Sequence, residues 1–468
     1  MLFNSFDFLL FFSTVFAFQL VLPHRPRNLF LLAASYFFYA CWDWRFTGLM
    51  AASTIIDYVC SLAIAKSDDQ TVKRQFLTVS IVANLSILGF FKYAGFFVDS
   101  WISLAASGGV ELSPRTWQII LPVGISFYTF QTMSYTWDVY RGEMQPLRRL
   151  SDFALYVAFF PQLVAGPIER GTQLSPQIAA GPRTSWEGVQ SGVWMITKGL
   201  FKKAVIADNL APLVATAFDS ESPHCAQVLI GVYAFAFQIY GDFSGYTDIA
   251  RGVGRMMGYK LSLNFRLPYF ATSPSEFWKR WHVSLSSFLR DYLYIPLGGN
   301  RGGTVKTYRN LLVTMLLGGL WHGAAWTFVI WGLYHGLLLI VYERFARTMS
   351  LSDATLRRTY WLRLSVMFHL TCVGWLIFRA ESFAQLRSMV AGLVQFQSLS
   401  LGDLQGAWKL MLLAGPLLII QAAKEYTKCL NFVPSLSPLP RLAIYAGCVV
   451  AILTFGSFGK QAFIYFQF

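Results

Sequence analysis

Long apolar runs separated by short polar stretches recur along the whole chain. The alternation of apolar and polar residues that is typical of a membrane β-barrel is absent from these runs. Because a bilayer offers backbone groups no water to bond with, runs of this length must form helices. The apolar segments lie near residues 6–22, 28–42, 47–65, 76–98, 118–137, 153–168, 187–218, 225–248, 309–342, 361–378, 408–423 and 441–458. The pattern therefore predicts an all-α polytopic membrane protein with about 9 to 12 crossings.

The spacing of the runs leaves no room for a soluble domain, and no repeat of fixed period is visible. We therefore predict one integral membrane domain over residues 1–468. Residues 153–168 form a run short enough to be re-entrant. Residues 309–342 are predicted as one helix. Residues 249–308 are charged, and we expect them to lie at the cytoplasmic interface or to dip into the protein.

The charged segment contains a helix start. Ser273 is expected to be the N-cap, Pro274 the first helical residue and Glu276 the reciprocal partner of a capping box. An apolar face at near-helical spacing follows, formed by Phe277, Trp281, Leu285, Phe288 and Tyr292. Lys279 and Arg280 make this helix too polar to cross lipid alone.

The composition agrees with a membrane protein. Hydrophobic residues make up 55% of the 468 residues and charged residues 13%, against about 25% charged residues in soluble proteins. The net charge is +14, and the basic residues fall mainly between apolar runs, which is typical of cytoplasmic loops. Since no compact soluble basic domain is present, nucleic acid is excluded as a partner. A minority of the charges could attract an anionic cytosolic ligand.

The first apolar run, from Phe8 to Leu22, has no basic residue before it, and His24, Arg25 and Arg27 follow it. This order predicts an uncleaved first helix with its N-terminus outside the cell membrane. The six cysteines are scattered without a CxxC pair. We interpret them as reduced packing residues, and we predict neither a disulfide framework nor a metal site.

Candidate chemistry centres on histidine. His322 lies in the almost wholly apolar stretch GGLWHGAAWTFVIWGLYHG, where an imidazole without partners is costly. It is expected to face a cavity or a substrate path, with packing against a neighbouring helix as the alternative. Gly318, Gly319 and Gly323 allow a backbone or a ligand to come close. His335 would be about 20 Å further along a straight helix, so we give it a structural role near a helix end.

Two further polar positions are candidates. His282 lies beside the apolar face of the capped helix, where interfacial anchoring is the alternative role. Asp242 and Ser244 end an apolar run in YGDFSGYTDIA. An intramembrane carboxylate is a candidate functional group, although Asp242 could equally hold a helix end.

Several enzyme signatures are missing from the sequence: HxxxxD, HExxH, GxSxG and the Walker A loop. Histidine is therefore the best catalytic candidate, with no obvious nucleophile beside it. This combination suits direct transfer of an acyl group from a reactive thioester. A histidine with a near-neutral pKa can deprotonate the attacking hydroxyl, while the helical wall holds the reactants and excludes water.

Five stretches resemble the membrane-bound O-acyltransferase family, and most closely its bacterial branch that acetylates exopolysaccharides such as alginate or cellulose. They are PQLVAGPIER (161–170), YGDFSGYTDIA (240–250), FWKRWHVSLSSFLRDYLYIPLGGNR (277–301), GGLWHG (318–323) and WLIFRAESF (375–383). The likeness covers nearly the whole chain. The resemblance implies a ring of tilted helices around a thin centre, with a cytosolic funnel that meets an outer cavity.

The resemblance also implies roles for residues. It places the family's essential histidine on His322, as general base, and its second histidine on His282, which positions the thioester or shuttles the proton. Acetyl-CoA or a similar thioester would be the cytosolic donor, with no bound cofactor. The acceptor would be a polysaccharide hydroxyl, reached directly or through a periplasmic partner protein. The expected donor- or substrate-binding residues are Trp281, Trp321, Arg280, Lys279, Arg301, Asp242 and Ser244.

Alternatives remain for these residues and for the function. The two tryptophans could simply pack, and the three basic residues could be positive-inside anchors. A protein of this kind would lie in the bacterial inner membrane with a periplasmic N-terminus. Transfer of D-alanine to teichoic acid and peptidoglycan O-acetylation are alternative reactions. A transporter, or a structural subunit of a polysaccharide export complex, is an alternative without chemistry.

Overall fold

The computed structural model describes residues 1–114, 116–163, 166–348, 352–458 and 463–464; the side chains of Arg347 and Thr348 lie outside that description. Helices and loops make up these ranges, which contain no strand. The all-α prediction is confirmed. Val164 and Ala165, in the stretch PQLVAGPIER, lie outside the described residues.

The chain divides into two compact units. The first unit comprises Met1–Met195 and Ala250–Ser262, and the second comprises Ile196–Ile249 and Leu263–Phe468. The single domain over residues 1–468 stays a prediction. The helices that begin in the first unit are α1 (Phe6–Val21), α2 (His24–Asp43), α3 (Arg45–Lys66), α4 (Gln70–Leu88), α5 (Ala94–Ser107), α6 (Ile125–Tyr140), α7 (Leu150–Ala158), α8 (Phe160–Leu163), α9 (Gly171–Ala180) and α10 (Trp186–Leu200).

Among the described residues, twelve helices begin in the second unit. They are α11 (Asp208–Phe218), α12 (Cys225–Met256), α13 (Pro274–Arg280), α14 (Val283–Leu289), α15 (Thr304–His322), α16 (Trp326–Thr348), α17 (Asp353–Arg358), α18 (Tyr360–Arg379), α19 (Phe383–Gly392), α20 (Leu401–Thr427), α21 (Phe432–Ser435) and α22 (Pro438–Phe455). Three π-helical segments continue α4, α10 and α14, at Gly89–Tyr93, Phe201–Ala207 and Arg290–Tyr294.

Seven helical spans in the described ranges are long and apolar enough to cross a membrane. They are Arg45–Lys66, Gln70–Ser107, Cys225–Met256, Trp326–Ala346, Tyr360–Arg379, Leu401–Thr427 and Pro438–Phe455, and the shorter Phe6–Val21 is also apolar. The multi-pass architecture is therefore confirmed. The predicted count of about 9 to 12 crossings requires shorter or more polar helices as well. α15 is a helix of this more polar kind, with Lys306 and Arg309 in its first half.

The first unit uses buried hydrogen bonds to join membrane helices. Asp57 on α3 is fully buried and accepts hydrogen bonds from Ser80 and Asn84 on α4 and from Thr136 on α6. Ser53 on α3 donates to the Asn84 side-chain oxygen at 2.7 Å. Because lipid cannot satisfy polar groups, such interhelical bonds fix which helix faces meet.

The predicted helix over residues 309–342 is broken into two. α15 ends at His322 and α16 begins at Trp326. A Cβ atom on Gly319 would lie 2.2 Å from the Phe328 carbonyl oxygen, and one on Gly332 would lie 2.4 Å from that of Met315. Residue numbers fall along α15 as they rise along α16 between these two contacts, so the helices form an antiparallel hairpin. The close approach of their backbones depends on glycine.

The capped helix forms as predicted at its start and differs at its end. Ser273 accepts a hydrogen bond from the Glu276 N–H, and Pro274 is the first helical residue. The Glu276 carboxylate accepts from Thr272 rather than from Ser273, so the reciprocal bond is displaced by one residue. The helix stops at Arg280, because His282 adopts a left-handed backbone with φ 42°.

The apolar face of this segment survives the break. Four of its predicted members are buried in the second unit: Phe277, Trp281, Leu285 and Phe288. Tyr292, in the π-helical turn, is partly exposed. Helical spacing therefore identified the buried side chains, although the backbone between them is not one helix.

Candidate active site

His282 is held by a buried amide. Its ring is fully buried, and its Nδ1 lies 3.1 Å from Oδ1 of Asn264. The same oxygen accepts hydrogen bonds from the backbone N–H of Ser284 at 3.2 Å and from its hydroxyl at 3.0 Å. Burial lowers the pKa of His282 to about 3, so the ring is neutral at physiological pH.

His322 meets His282 in the second unit. The centroids of the two imidazole rings are 6.4 Å apart. His322 arrives there because α15 ends at this residue, and His282 because α13 has just ended at a left-handed turn. Two elements that are distant in sequence thus place two buried imidazoles side by side.

Aromatic rings surround the histidine pair. The centroid of the His322 ring lies 5.0 Å from that of Trp331, 5.2 Å from that of Trp321 and 5.4 Å from that of Phe378. The centroid of the His282 ring lies 4.7 Å from that of Phe243 and 5.8 Å from that of Trp321. Phe378 comes from the stretch WLIFRAESF, which explains why that stretch matters for the site. An apolar surround excludes water and strengthens electrostatic interactions inside it.

The two tryptophans of the sequence prediction occupy different places. Trp321 lies beside the histidine pair, in contact with both rings. Trp281 is buried in an aromatic cluster, 4.7 Å from the Trp375 ring and 5.0 Å from that of Phe265. Their predicted contact with the donor stays a prediction. The burial of Trp281 favours the packing role.

His335 has aromatic packing on several sides. It stacks on Phe277, with ring centroids 6.1 Å apart, and its centroid lies 4.7 Å from that of Trp331. The Trp331 ring also contacts His322. A Cβ atom on Gly374 would come within 2.8 Å of its Nε2, so a glycine makes room for this ring. These contacts fit a structural role, but His335 lies in the middle of α16 and not near a helix end.

The basic candidates differ in their surroundings. Arg280 forms ion pairs with Glu276 at 2.7 Å and with Glu425 at 2.8 Å. Two carboxylates therefore neutralise the guanidinium, which favours a role in holding α13 to α20. Lys279 and Arg301 are exposed. Binding of donor phosphates by these three residues stays a prediction.

Asp242 and Ser244 belong to buried ion clusters on α12. Lys203 lies 2.7 Å from Asp208 and 2.8 Å from Asp242, and all three residues are buried. The other carboxylate oxygen of Asp242 accepts the backbone N–H of Ile464 at 2.7 Å. Lys202 donates to Ser244 at 3.1 Å and pairs with Asp248 at 2.6 Å. These contacts favour the structural alternative for Asp242, and substrate binding stays a prediction for both residues.

Replacing Lys203 with methionine should prevent stable folding. It would leave Asp208 and Asp242 as buried carboxylates without their shared cation, a cost of about 3–5 kcal/mol. Yield after detergent extraction and thermal unfolding both measure this loss. The control is Lys198→Met, since Lys198 pairs with Asp248 at 3.0 Å from a partly exposed position. Equal melting temperatures for the Lys203 variant and the wild type would contradict the importance of the cluster.

No group of three or more His, Cys, Asp and Glu side chains that could hold a metal ion occurs within the described ranges. The described site contains two buried imidazoles in an apolar surround. The model of the membrane-bound O-acyltransferase family matches residues 147–382, which include both histidines and Asn264.

The chain belongs to the membrane-bound O-acyltransferase family. It is an O-acyltransferase. Among its relatives is a probable alginate O-acetylase of Azotobacter vinelandii, 46% identical over 87% of this chain and 81% of that protein. A peptidoglycan O-acetyltransferase of Helicobacter pylori is 37% identical over 81% of this chain and 76% of its own. A teichoic acid D-alanyltransferase of Streptococcus thermophilus is 27% identical over 54% of this chain and 65% of that protein.

Asn264 is the site residue that sequence reasoning missed. It follows the first unit's last residues in the loop LSLNFRLP, among apolar neighbours. A buried amide in an apolar loop was the available signal, because such a group needs hydrogen-bond partners. Its distance of 18 positions from His282 hid the contact.

Proposed function

We propose that this O-acyltransferase moves an acetyl group from a cytosolic thioester, acetyl-CoA, to hydroxyl groups of an exopolysaccharide. Alginate and cellulose are the proposed acceptors, reached directly or through a periplasmic partner protein. The observation that carries the proposal is the pair of buried imidazoles, 6.4 Å apart between ring centroids. The bacterial inner membrane, with the N-terminus in the periplasm, is the proposed location.

In the proposed reaction, His322 takes the proton of the acceptor hydroxyl while the hydroxyl oxygen attacks the thioester carbonyl. The carbon–sulfur bond then breaks, and the proton passes to the leaving thiolate. The products are an acetyl ester and free CoA thiol. Because His322 is the last residue of α15, the negative end of the helix dipole stabilises the positive charge that the ring gains, typically by about 0.3–1 kcal/mol.

Neutral His282 has a complementary place in this scheme. It cannot stabilise negative charge as an imidazolium, since its burial keeps it uncharged. It can orient the hydroxyl or the thioester, or relay the proton between them. The apolar rings around both histidines exclude water, which would otherwise hydrolyse the thioester.

An acetyl group fits the relatives better than D-alanine does. Two O-acetyl-transferring relatives align with 87% and 81% of this chain, at 46% and 37% identity. The D-alanyltransferase aligns with 54% at 27% identity. Peptidoglycan O-acetylation is the second candidate, because its relative covers nearly as much of the chain as the alginate relatives do.

Purified protein in vesicles, given acetyl-CoA with a labelled acetyl group and, in parallel reactions, an exopolysaccharide or peptidoglycan as acceptor, tests the proposal. Release of CoA together with label on the polysaccharide is the expected result. Mass spectrometry of the exopolysaccharide from a deletion strain identifies the natural acceptor. Label that crosses the vesicle unchanged, or that appears on peptidoglycan while the polysaccharide stays unlabelled, would overturn the proposed acceptor.

A further inference from the structure

The amide of Asn264 determines which nitrogen of His282 carries the proton. Its Oδ1 accepts from the backbone N–H of Ser284, a group that can only donate. The atom facing Ser284 is therefore the amide oxygen and not the amide nitrogen, which removes the usual ambiguity of an asparagine side chain. The same oxygen lies 3.1 Å from Nδ1 of His282. Since that oxygen can only accept, Nδ1 must bear the hydrogen.

We propose that Asn264 is a positioning residue for acyl transfer, which fixes His282 as the neutral tautomer with hydrogen on Nδ1 and a lone pair on Nε2. This inference rests on the proposed function. This tautomer can only accept a proton or a hydrogen bond at Nε2. His282 therefore receives the hydrogen of a hydroxyl or relays a proton, and it does not start the reaction as a proton donor at that nitrogen.

The surroundings of His282 support this assignment. Asn264 is itself fully buried, so its oxygen is not exchanged for water. Three donors converge on that oxygen, from His282 and from the amide and hydroxyl of Ser284, and they hold it in place. Burial also keeps the ring neutral, with its pKa at about 3, and a neutral imidazole needs one nitrogen chosen as the donor.

The left-handed backbone at His282 completes the arrangement. With φ 42° and ψ 55°, this residue directs its side chain away from the path that a continuing helix would give it. Such a backbone is uncommon for a residue other than glycine, and it persists where the surroundings hold it. The backbone N–H of Val283 donates to the carbonyl oxygen of Asn264 at 2.9 Å, so Asn264 holds both the turn and the ring.

Two substitutions of similar shape separate positioning from mere packing. Asn264→Leu removes the acceptor, and we expect kcat to fall by about 10–100-fold with little change in the KM for acetyl-CoA, as for other residues that orient a functional histidine. Asn264→Asp keeps the acceptor and adds a negative charge. That charge raises the pKa of His282, because it stabilises the imidazolium.

The aspartate variant should therefore acquire a new pH dependence. Above the raised pKa, His282 is neutral and unprotonated at Nε2, and activity should approach that of the wild type. Below it, Nε2 is protonated and activity should fall. The titratable group facing His282 from α15 is His322, and the wild type and the Asp variant share it. From α12, Phe243 faces His282, and Ser284 follows it in the chain and shares the Asn264 oxygen with it. Neither side chain titrates between pH 5 and 9.

The measurement is kcat and KM across pH 5–9 for the wild type and both variants, with Ser287→Ala as control. The Ser287 hydroxyl donates to the backbone oxygen of Ser284 at 3.0 Å, not to the Asn264 amide. Its removal costs one hydrogen bond near the site and leaves the Asn264–His282 bond, so kcat should stay within about threefold of the wild type. Should Asn264→Leu fail to fold, the pH profile of Asn264→Asp still decides. Equal activity loss at every pH in folded Leu and Asp variants, or no loss in either, would overturn the inference. An inactive wild type would instead reject the proposed function.

Discussion

Replacing His322 with alanine is expected to lower acetyl transfer by about 10²–10⁴-fold, which is the usual contribution of a general base. The ring is buried at the end of α15, and its nearest ring neighbours are aromatic side chains and His282. His282 is too weak a base to replace it, because burial lowers the pKa of His282 to about 3. The rate of CoA release in vesicles, divided by the amount of folded protein, measures the effect.

His335→Phe is the matched control for this variant. Both histidines are buried and both contact the Trp331 ring. Phenylalanine is somewhat larger than histidine but keeps an aromatic ring among the same aromatic neighbours, so we expect some loss of stability and most of the activity to remain. Full polymer acetylation by the His322 variant would remove that residue from its catalytic role. An equal loss in both variants would indicate a packing effect.

Replacing Gly319 with alanine is expected to damage both stability and activity. The new Cβ atom would meet the Phe328 carbonyl oxygen at 2.2 Å, and that oxygen belongs to backbone, which cannot swing aside. α15 and α16 must separate, at a cost of about 1–3 kcal/mol or more. Since His322 lies three residues further on α15, its distance from His282 changes with the hairpin.

Thermal unfolding in detergent and the rate of acetyl transfer together measure this second effect. Gly447→Ala in α22 is the control, because a Cβ atom there has no neighbour from elsewhere in the chain within 4 Å. That change should leave the melting temperature unchanged or raise it slightly, since alanine favours a helix over glycine by about 1 kcal/mol. If the two alanine variants unfold at the same temperature, the close approach of α15 and α16 does not limit stability.

The sequence allowed the broad architecture to be predicted. Apolar runs identified the membrane helices, and the Ser273–Pro274 cap and the buried Phe277 and Leu285 followed from local rules. Such features depend on neighbouring residues only, through capping geometry and helical spacing. They are readable without knowledge of the tertiary structure.

Two helix breaks were not predicted, for different reasons. The break after His322 had a signal in Gly323, but flanking glycines were interpreted as contact points within one helix. The break at His282 had no such signal, since neither glycine nor proline occurs there. It depends on hydrogen bonds to Asn264, which is 18 positions away, and tertiary contacts of this kind override local preference.

The site was predicted in part. His322 and His282 are candidates from their apolar surroundings, and the family resemblance implies their roles. The structure places their ring centroids 6.4 Å apart. Their catalytic roles stay predictions. The charged candidates Arg280 and Asp242 have carboxylate or lysine partners, and charge alone could not distinguish a ligand-binding group from half of an ion pair.

The left-handed turn at His282 determines which replacements there can be interpreted. A β-branched side chain would suffer steric conflict in that conformation, at about 1–2 kcal/mol, so its inactivity would say little about the imidazole. Asparagine tolerates the conformation well and has a ring-free polar side chain. Mutational scans at this codon should therefore be ranked by backbone tolerance first, and the asparagine allele is the informative one for chemistry.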